Sequence, residues 1–483
     1  MNKPRLLKAR LNSVAVAAAI TVLSGCSFIP KYERPAAPVA TQWPGGPITE
    51  TPGQKAAPDV PWQDFFRDAR LQQLIGTALA NNRDLRVAVL NIEQARAQYR
   101  IQRADLFPTV GIGASGSRVP NSSGGITSTY SAGFTVSSWE LDFFGRIASL
   151  KEAALAQYLA TEEGRKATQI SLIASVANAY LNLLADDELL AITRQTLATR
   201  EDSGKLSQLR FDNGVASELD LRQAQSLTES ARATLAEQLR QRAVDQNALT
   251  LLVGQPPTGD ATGNAVAGTG LAGTQFMNDL PVGLPSEVLI NRPDIRQAEQ
   301  LLLANNANIG AARAAFFPQV SLTAGIGSGG SHLSDLFKSG SYGWTFAPQI
   351  VMPIFDAGRN QANLDSVRAG RDIAQAQYEK AIQTAFSEVA DALAGRANLG
   401  EQLRAQQAQA DAEAVRFKLS DLRYRNGVAS YLDLLDAQRS LFTAQQAVVQ
   451  VRLAQLQNQV NLYKTLGGGW TEPAGTAAAS PKP

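Results

Sequence analysis

The chain has 483 residues and a formal net charge of +2, with 45 Lys and Arg against 43 Asp and Glu. That balance offers no basic patch for nucleic acid. With one histidine and one cysteine in all, a soft-metal ladder and an internal disulfide are excluded. Beyond residue 25 no run of 18 apolar residues occurs, so a membrane could be crossed only by a closed β-barrel.

In chain order, residues 1–25 hold Lys3, Arg5, Lys8 and Arg10, then an apolar run from Leu11 to Leu23. A basic stretch, a short apolar stretch and small residues before a cleavage point make an export signal. Its removal takes the net charge from +2 to −2. The signal ends in Leu-Ser-Gly-Cys at Cys26, which resembles the lipobox of bacterial lipoproteins. The resemblance implies that Cys26 becomes the first mature residue and carries diacylglycerol and fatty acyl (palmitate) groups. Position 27 is Ser and not Asp, which implies sorting to the Gram-negative outer membrane. Residues 26–70 follow as a Pro-rich, lipid-anchored segment, with Ser27–Pro47 read as extended.

The rest of the chain is a tandem duplication. Between Leu209–Gln225 and Leu422–Gln438, 12 of 17 positions are identical without a gap, including Asn-Gly-Val-Ala-Ser in both. Asn81–Pro108 matches Asn291–Pro318, and Leu141–Arg146 lies over Ile354–Arg359. Each half reads as helix, two strands, long helix, turn, helix. The first repeat spans 71–254, with strands at about 108–118 and 129–141. A connector fills 255–290. The second repeat spans 291–470, with strands at about 318–328 and 341–355, and 471–483 is a mobile tail. From Arg146 to about Gln208, and from Arg359 to about Leu422, there is no proline. About 60 helical residues make a rod of roughly 90 Å. Leu434, Ala437, Leu441, Ala444, Val448 and Val451 step 3-4-3-4-3, a coiled-coil seam.

Pro108 and Pro318 end helices, and the sequence then alternates. Val110, Ile112 and Ala114 share one face, as do Tyr130, Ala132, Phe134 and Val136. In the second half Val320, Leu322, Ala324 and Ile326 alternate, then Tyr342, Trp344, Phe346, Pro348 and Ile350. Ser, Gly, Thr and Gln lie opposite, the pattern of membrane-barrel strands; a soluble half-buried sheet is the alternative. Four strands cannot close a barrel, since membrane barrels start at about eight. Strands must therefore be pooled among several chains.

The lipobox, the duplicated halves, the Asn-Gly-Val-Ala-Ser turns, Arg-Pro-Asp-Ile at 292–295, Ala-Ala-Phe-Phe-Pro at 314–318 and the closing Leu-Tyr-Lys-Thr-Leu-Gly-Gly-Gly-Trp together resemble the outer membrane factor family. These are the TolC-like channels, and the OprM-like lipoproteins of multidrug efflux pumps within them are the nearest in pattern. The resemblance implies an α+β membrane protein, a homotrimer with four strands per chain and 12 in the barrel. That barrel would be continuous with a long periplasmic helical coiled-coil barrel. It also implies a periplasmic adaptor and an inner-membrane RND-type transporter as partners, with small-molecule drugs as cargo and outer-membrane lipids around the barrel.

In such channels the periplasmic end is pinched where the long helices turn. Ser217–Asp220 and Ser430–Asp433 both fit the capping-box pattern, so Asp220 and Asp433 have a structural role available. Asp436 lies one turn further in, and its counterpart in the first half is Gln223. By the resemblance, Leu432, Asp436 and Arg439 match aperture residues. Asp433 matches an aspartate of the TolC type, and Asp220 with Tyr424 matches a latch between hairpins. An arginine that joins that latch in TolC is Ala429 here. Asp433 and Asp436 share a helix face and in a trimer would stack as two rings of three carboxylates. At about 8 Å, two carboxylates repel by roughly 0.5 kcal/mol in water and about 2 kcal/mol at a dielectric of 20. Hairpin contacts must therefore do the closing, while the rings attract cations.

No enzyme is expected. His332 lies in a Gly/Ser-rich loop, and Gly111–Gly116 continues a strand and opens no helix, so no phosphate loop forms. Neither a metal site nor a cofactor is expected beyond the acyl groups. Two alternatives remain: an exit duct for type I protein secretion, and a periplasmic coiled-coil adaptor, which would have one hairpin where this chain has two.

Overall fold

A computed structural model describes residues 27–44, 56–122, 124–256, 270–277, 280–283 and 285–471. The signal segment, Cys26 and the tail beyond Thr471 lie outside the described residues. The chain forms two compact units. One comprises residues up to Ala37, Leu90–Glu163 and Arg296–Ala381; the other comprises Pro38–Val89, Gly164–Ile295 and Ile382–Pro483.

The main helices are α1 (Ala69–Asn81), α2 (Arg83–Ala104), α3 (Arg146–Asp212), α4 (Glu218–Val253), α5 (Pro293–Ala314), α6 (Arg359–Arg425) and α7 (Tyr431–Thr465). The duplication is visible in their lengths. Helices α2 and α5 each have 22 residues, α3 and α6 each have 67, and α4 and α7 have 36 and 35. Both long helices run a few residues past their expected ends. Within the connector, short helices occupy Gly270–Gly273 and Pro285–Asn291. None of the described helices is long and apolar enough to cross a membrane.

In the first unit, β1 (Val110–Pro120), β2 (Ile126–Leu141), β3 (Gln319–Gly330) and β4 (Tyr342–Val351) form one antiparallel sheet in the order β1-β2-β3-β4. The first two strands extend closer to their shared turn than expected, because the hairpin connection is only Asn121–Gly125. The fourth is shorter: its pairing stops at Val351, where Gln319 begins the partner strand. The register sets Ile112, Phe134, Ile326 and Trp344 in one row across all four strands, and Val110, Val136, Ala324 and Phe346 in another. Between them Gly113, Gly133, Gly327 and Gly343 form a row of glycines. One face is therefore bulky and apolar; the other is mostly Gly, Ser, Thr and Gln, with Val119, Ala347 and Val351 as exceptions. The bulky side chains stay exposed, Ile112 at 80% and Trp344 at 73%. β1 and β4 each leave one edge unpaired. Open edges and uncovered apolar rows are unsatisfied in a lone copy.

Also in the first unit, the extended segment after Cys26 packs on α5. Arg34 donates to both carboxylate oxygens of Glu299, at 2.7 and 2.8 Å, and Tyr32 donates to the same group at 3.0 Å. Phe28 stacks on Phe317 at 4.7 Å.

The second unit has its own apolar core. Phe65, Phe66, Phe276 and Tyr463 cluster there, with Phe65 and Tyr463 stacked at 4.1 Å. The Tyr463 hydroxyl, which burial would otherwise penalise, donates to Val60 O at 2.6 Å. Of the seam predicted for α7, Leu434, Ala437, Ala444 and Val448 are buried, and Leu441 and Val451 are half-buried.

Candidate functional site: the helical hairpin turns

The repeated Asn-Gly-Val-Ala-Ser segment turns α3 into α4 and α6 into α7 by the same local chemistry. Gly214 and Gly427 take φ of 72° and 76°, the left-handed conformation that glycine tolerates without strain. Gly214 N donates to Phe211 O and Val215 N to Arg210 O, both at 2.9 Å. In the second copy Gly427 N donates to Tyr424 O and Val428 N to Arg423 O, both at 3.0 Å. This paired closure is the Schellman motif. The next helix then starts from a capping box. Asp220 N donates to Ser217 Oγ at 3.1 Å, and Asp433 N donates to Ser430 Oγ at 3.2 Å. Each aspartate in return accepts from the backbone N–H of its serine.

Asp433 therefore serves as a cap, as its sequence pattern suggested. Asp436, which has no cap to make, is paired across the hairpin with Arg416 of α6. Arg416 also contacts Glu413 at 3.1 Å. Leu432 is 61% exposed, and Asp433, Asp436 and Arg439 are exposed with it. The four aperture candidates thus lie on the solvent side of the first three turns of α7.

The expected contact between Asp220 and Tyr424 does not form within the chain. Tyr424 is buried against Tyr431, with ring centroids 5.3 Å apart, among Ala224, Leu227, Leu434 and Leu435. Burial pushes the Tyr431 phenol up to about 12, with Tyr424 and Asp220 adding to the shift. The cation that grips Tyr424 is Arg210, at the end of α3. Its guanidinium lies 4.4 Å from the Tyr424 ring, and Nη2 donates to Tyr424 O at 3.2 Å and Arg425 O at 3.4 Å. The last carbonyls of a helix have no intrahelical partner and carry the negative end of its dipole. Arg210 caps α6 from the end of α3, so it joins one hairpin to the other.

Sequence reasoning did not find Arg416 or Arg210. A fold about Gly427 sets residues near 416 opposite residues near 437, so the Arg416–Asp436 pair had a readable signal in turn geometry. Arg210 had none, since its repeat counterpart Arg423 is an equal candidate by pattern. Further along the second unit, Asp186 of α3 lies beside Asp245 of α4, with Asp187 bound to Arg242 at 2.5 Å. Burial and then the Asp245 carboxyl push Asp186 up to about 7. Among the described residues, no cluster of His, Cys, Asp and Glu could hold a metal ion.

Comparison with known proteins shows what carries this geometry. The pattern of the outer membrane efflux protein family matches residues 74–255 and 284–468. The probable efflux pump outer membrane protein TtgC of Pseudomonas putida is 51% identical over 477 residues, covering 97% of each chain. The outer membrane protein OprJ of Pseudomonas aeruginosa is 45% identical over 93% of this chain and 94% of its own. Among solved structures, the open state of the MtrE outer membrane channel of Neisseria gonorrhoeae superposes with a TM-score of 0.83. It is 43% identical and covers 92% of this chain and 99% of that one.

Proposed function

The chain belongs to the outer membrane efflux protein family, and on that premise we propose that three copies build a passive exit duct whose periplasmic aperture is controlled at the α6–α7 turn. The protein is the outer-membrane channel of an efflux pump, a reading that its relatives favour over protein secretion and over an adaptor. The observation that carries the duct is the sheet. It has four strands, two open edges, one face of exposed apolar rows and one face mostly of Gly, Ser, Thr and Gln. Three such sheets joined edge to edge give 12 strands, with the bulky rows toward lipid and the small polar face toward water. Nothing in the sheet supplies energy, so transport through it is passive.

The aperture is formed by Leu432, Asp433, Asp436 and Arg439, repeated by symmetry around the axis. Carboxylates gathered there repel one another, so they cannot hold the gate shut. Contacts between hairpins do: Arg210 clasps the end of α6, and Tyr424 and Tyr431 bury the contact. Arg416 partly neutralises Asp436 and fixes its carboxylate toward α6. Opening moves the α6–α7 hairpin away from α3, which breaks the Arg210 contacts and spreads the acidic rings. A periplasmic adaptor supplies the differential contacts that drive this movement, and an inner-membrane RND-type transporter loads small-molecule drugs into the duct. Acylation at Cys26 anchors each copy to the outer membrane.

The test is complementation. A Gram-negative strain lacking its own exit duct, but holding an adaptor and an RND-type transporter of the Pseudomonas type, should regain low intracellular dye accumulation when this chain is expressed. Unchanged accumulation with the folded trimer present in the outer membrane would overturn the efflux role.

A further inference from the structure

Helices α3, α6 and α7 of the second unit line a partly open pocket, with Thr196, Thr199, Arg200, Phe417, Gln438 and Phe442 among its walls. Arg200 is only 5% exposed. Its Nη1 donates to Leu227 O at 3.1 Å and its guanidinium lies 5.3 Å from the Phe442 ring, yet Nε is buried and meets no acceptor. Among the described residues no carboxylate pairs with Arg200. Burial first, and then the neighbouring cation Arg439, hold the Arg200 guanidinium below its usual range.

A guanidinium does not escape burial by losing its proton, and a buried charge without a partner is costly. The second orphan in the same wall is Gln438. Its amide nitrogen donates to Ser203 Oγ at 3.1 Å, while Oε1 is buried without a partner. The two ends of an amide are assigned by their hydrogen bonds. Turned over, Gln438 accepts the Ser203 hydroxyl and presents its N–H₂ group where Oε1 stands, in a wall that Arg200 shares. The lining then offers the Arg200 and Gln438 donors beside Thr196, Thr199, Phe417 and Phe442, with no acidic group.

We propose that this pocket binds one small inorganic anion, held by Arg200 Nε and the Gln438 amide. The donor set excludes a cation. Gln438 and Arg439 are two and three residues from Asp436 on α7, while Arg200 belongs to α3. An ion here bridges the two hairpins by charge at the level of the proposed aperture and offsets the repulsion between Arg200 and Arg439. The site is built within one chain, so it stands whether or not the efflux reading does.

The experiment is bromide substitution in the full-length trimer, read by anomalous diffraction, together with thermal melting in chloride against gluconate at equal ionic strength. The proposal expects an anomalous peak in contact with Arg200 Nε and Gln438, and a melting temperature several degrees higher in chloride. Both should disappear in Arg200→Gln. If that variant does not fold, Gln438→Leu decides, with bromide affinity reduced at least tenfold. A pocket holding only water, a carboxylate of a second copy in place of the ion, or a bromide peak unchanged in either variant would overturn it.

Discussion

Replacing Arg210 by alanine should unfasten the two hairpins without unfolding either. Arg210 sits at the solvent-facing end of α3 and reaches two carbonyls at the end of α6, at 3.2 and 3.4 Å, while its guanidinium covers the Tyr424 ring. The side chain is half-buried, so low values apply. The shorter charged hydrogen bond contributes about 1.5 kcal/mol, the longer one little, and the cation–π contact about 0.5 kcal/mol. Losing about 2 kcal/mol shifts a closed-to-open ratio by roughly 30-fold. Trimers reconstituted in liposomes should therefore release an entrapped small dye one to two orders of magnitude faster in Arg210→Ala. Arg423, the counterpart in the second repeat, is exposed and makes no such contact; Arg423→Ala should leak like the wild type. Equal dye release from Arg210→Ala and wild type, or equal acceleration by both variants, would refute the assignment of the clasp to Arg210.

Asp186 gives a pH signature. An acid pushed up to about 7 in the folded chain keeps its proton where the unfolded chain, at about 3.9, has lost it. Its contribution to stability is present below pH 4 and is lost as pH rises toward 7. Asp186→Asn should raise the melting temperature at pH 8 and flatten the decline between pH 4 and 7; an unchanged profile would place that titration elsewhere. In the sheet, a Cβ at Gly327 would clash with Ala132 O and the Gly133 backbone. Gly327→Val should break the β2–β3 pairing and abolish the trimer seen on native gels, whereas a normal yield of trimer would show that the strands pack differently. Cys26→Ser should remove incorporation of labelled palmitate while leaving trimer formation intact. Palmitate retained in that variant would exclude Cys26 as the acylated residue.

Much of this fold was written in local pattern. The prolines at 108 and 318 stop helices by sterics, alternation assigns each strand a bulky and a small face, and the Asn-Gly-Val-Ala-Ser turns carry both a left-handed glycine and a serine cap. Such features depend on neighbours within a few positions, and the structure placed them with shifts of a few residues. The strand ends moved where the cross-strand partner set the limit, as at Val351, which pairs with Gln319. The site was less legible. Asp433 could be read as a cap because its serine is three residues away. The partner of Asp436 lies 20 residues off, across a turn, and Arg210 reaches a helix more than 200 residues on. The long-range choice between Arg210 and Arg423 depends on how two coiled helices are rotated against each other, which no short pattern encodes.

The central claim is a trimeric duct with an acidic aperture on α7, and single-channel recording in planar bilayers tests it most directly. Purified wild-type trimer should give small, cation-selective steps, and Asp436→Ala should enlarge them or weaken the cation preference. A folded trimer that forms no pore would contradict the duct, and pores whose size and selectivity ignore the substitution would contradict an aperture at Asp436.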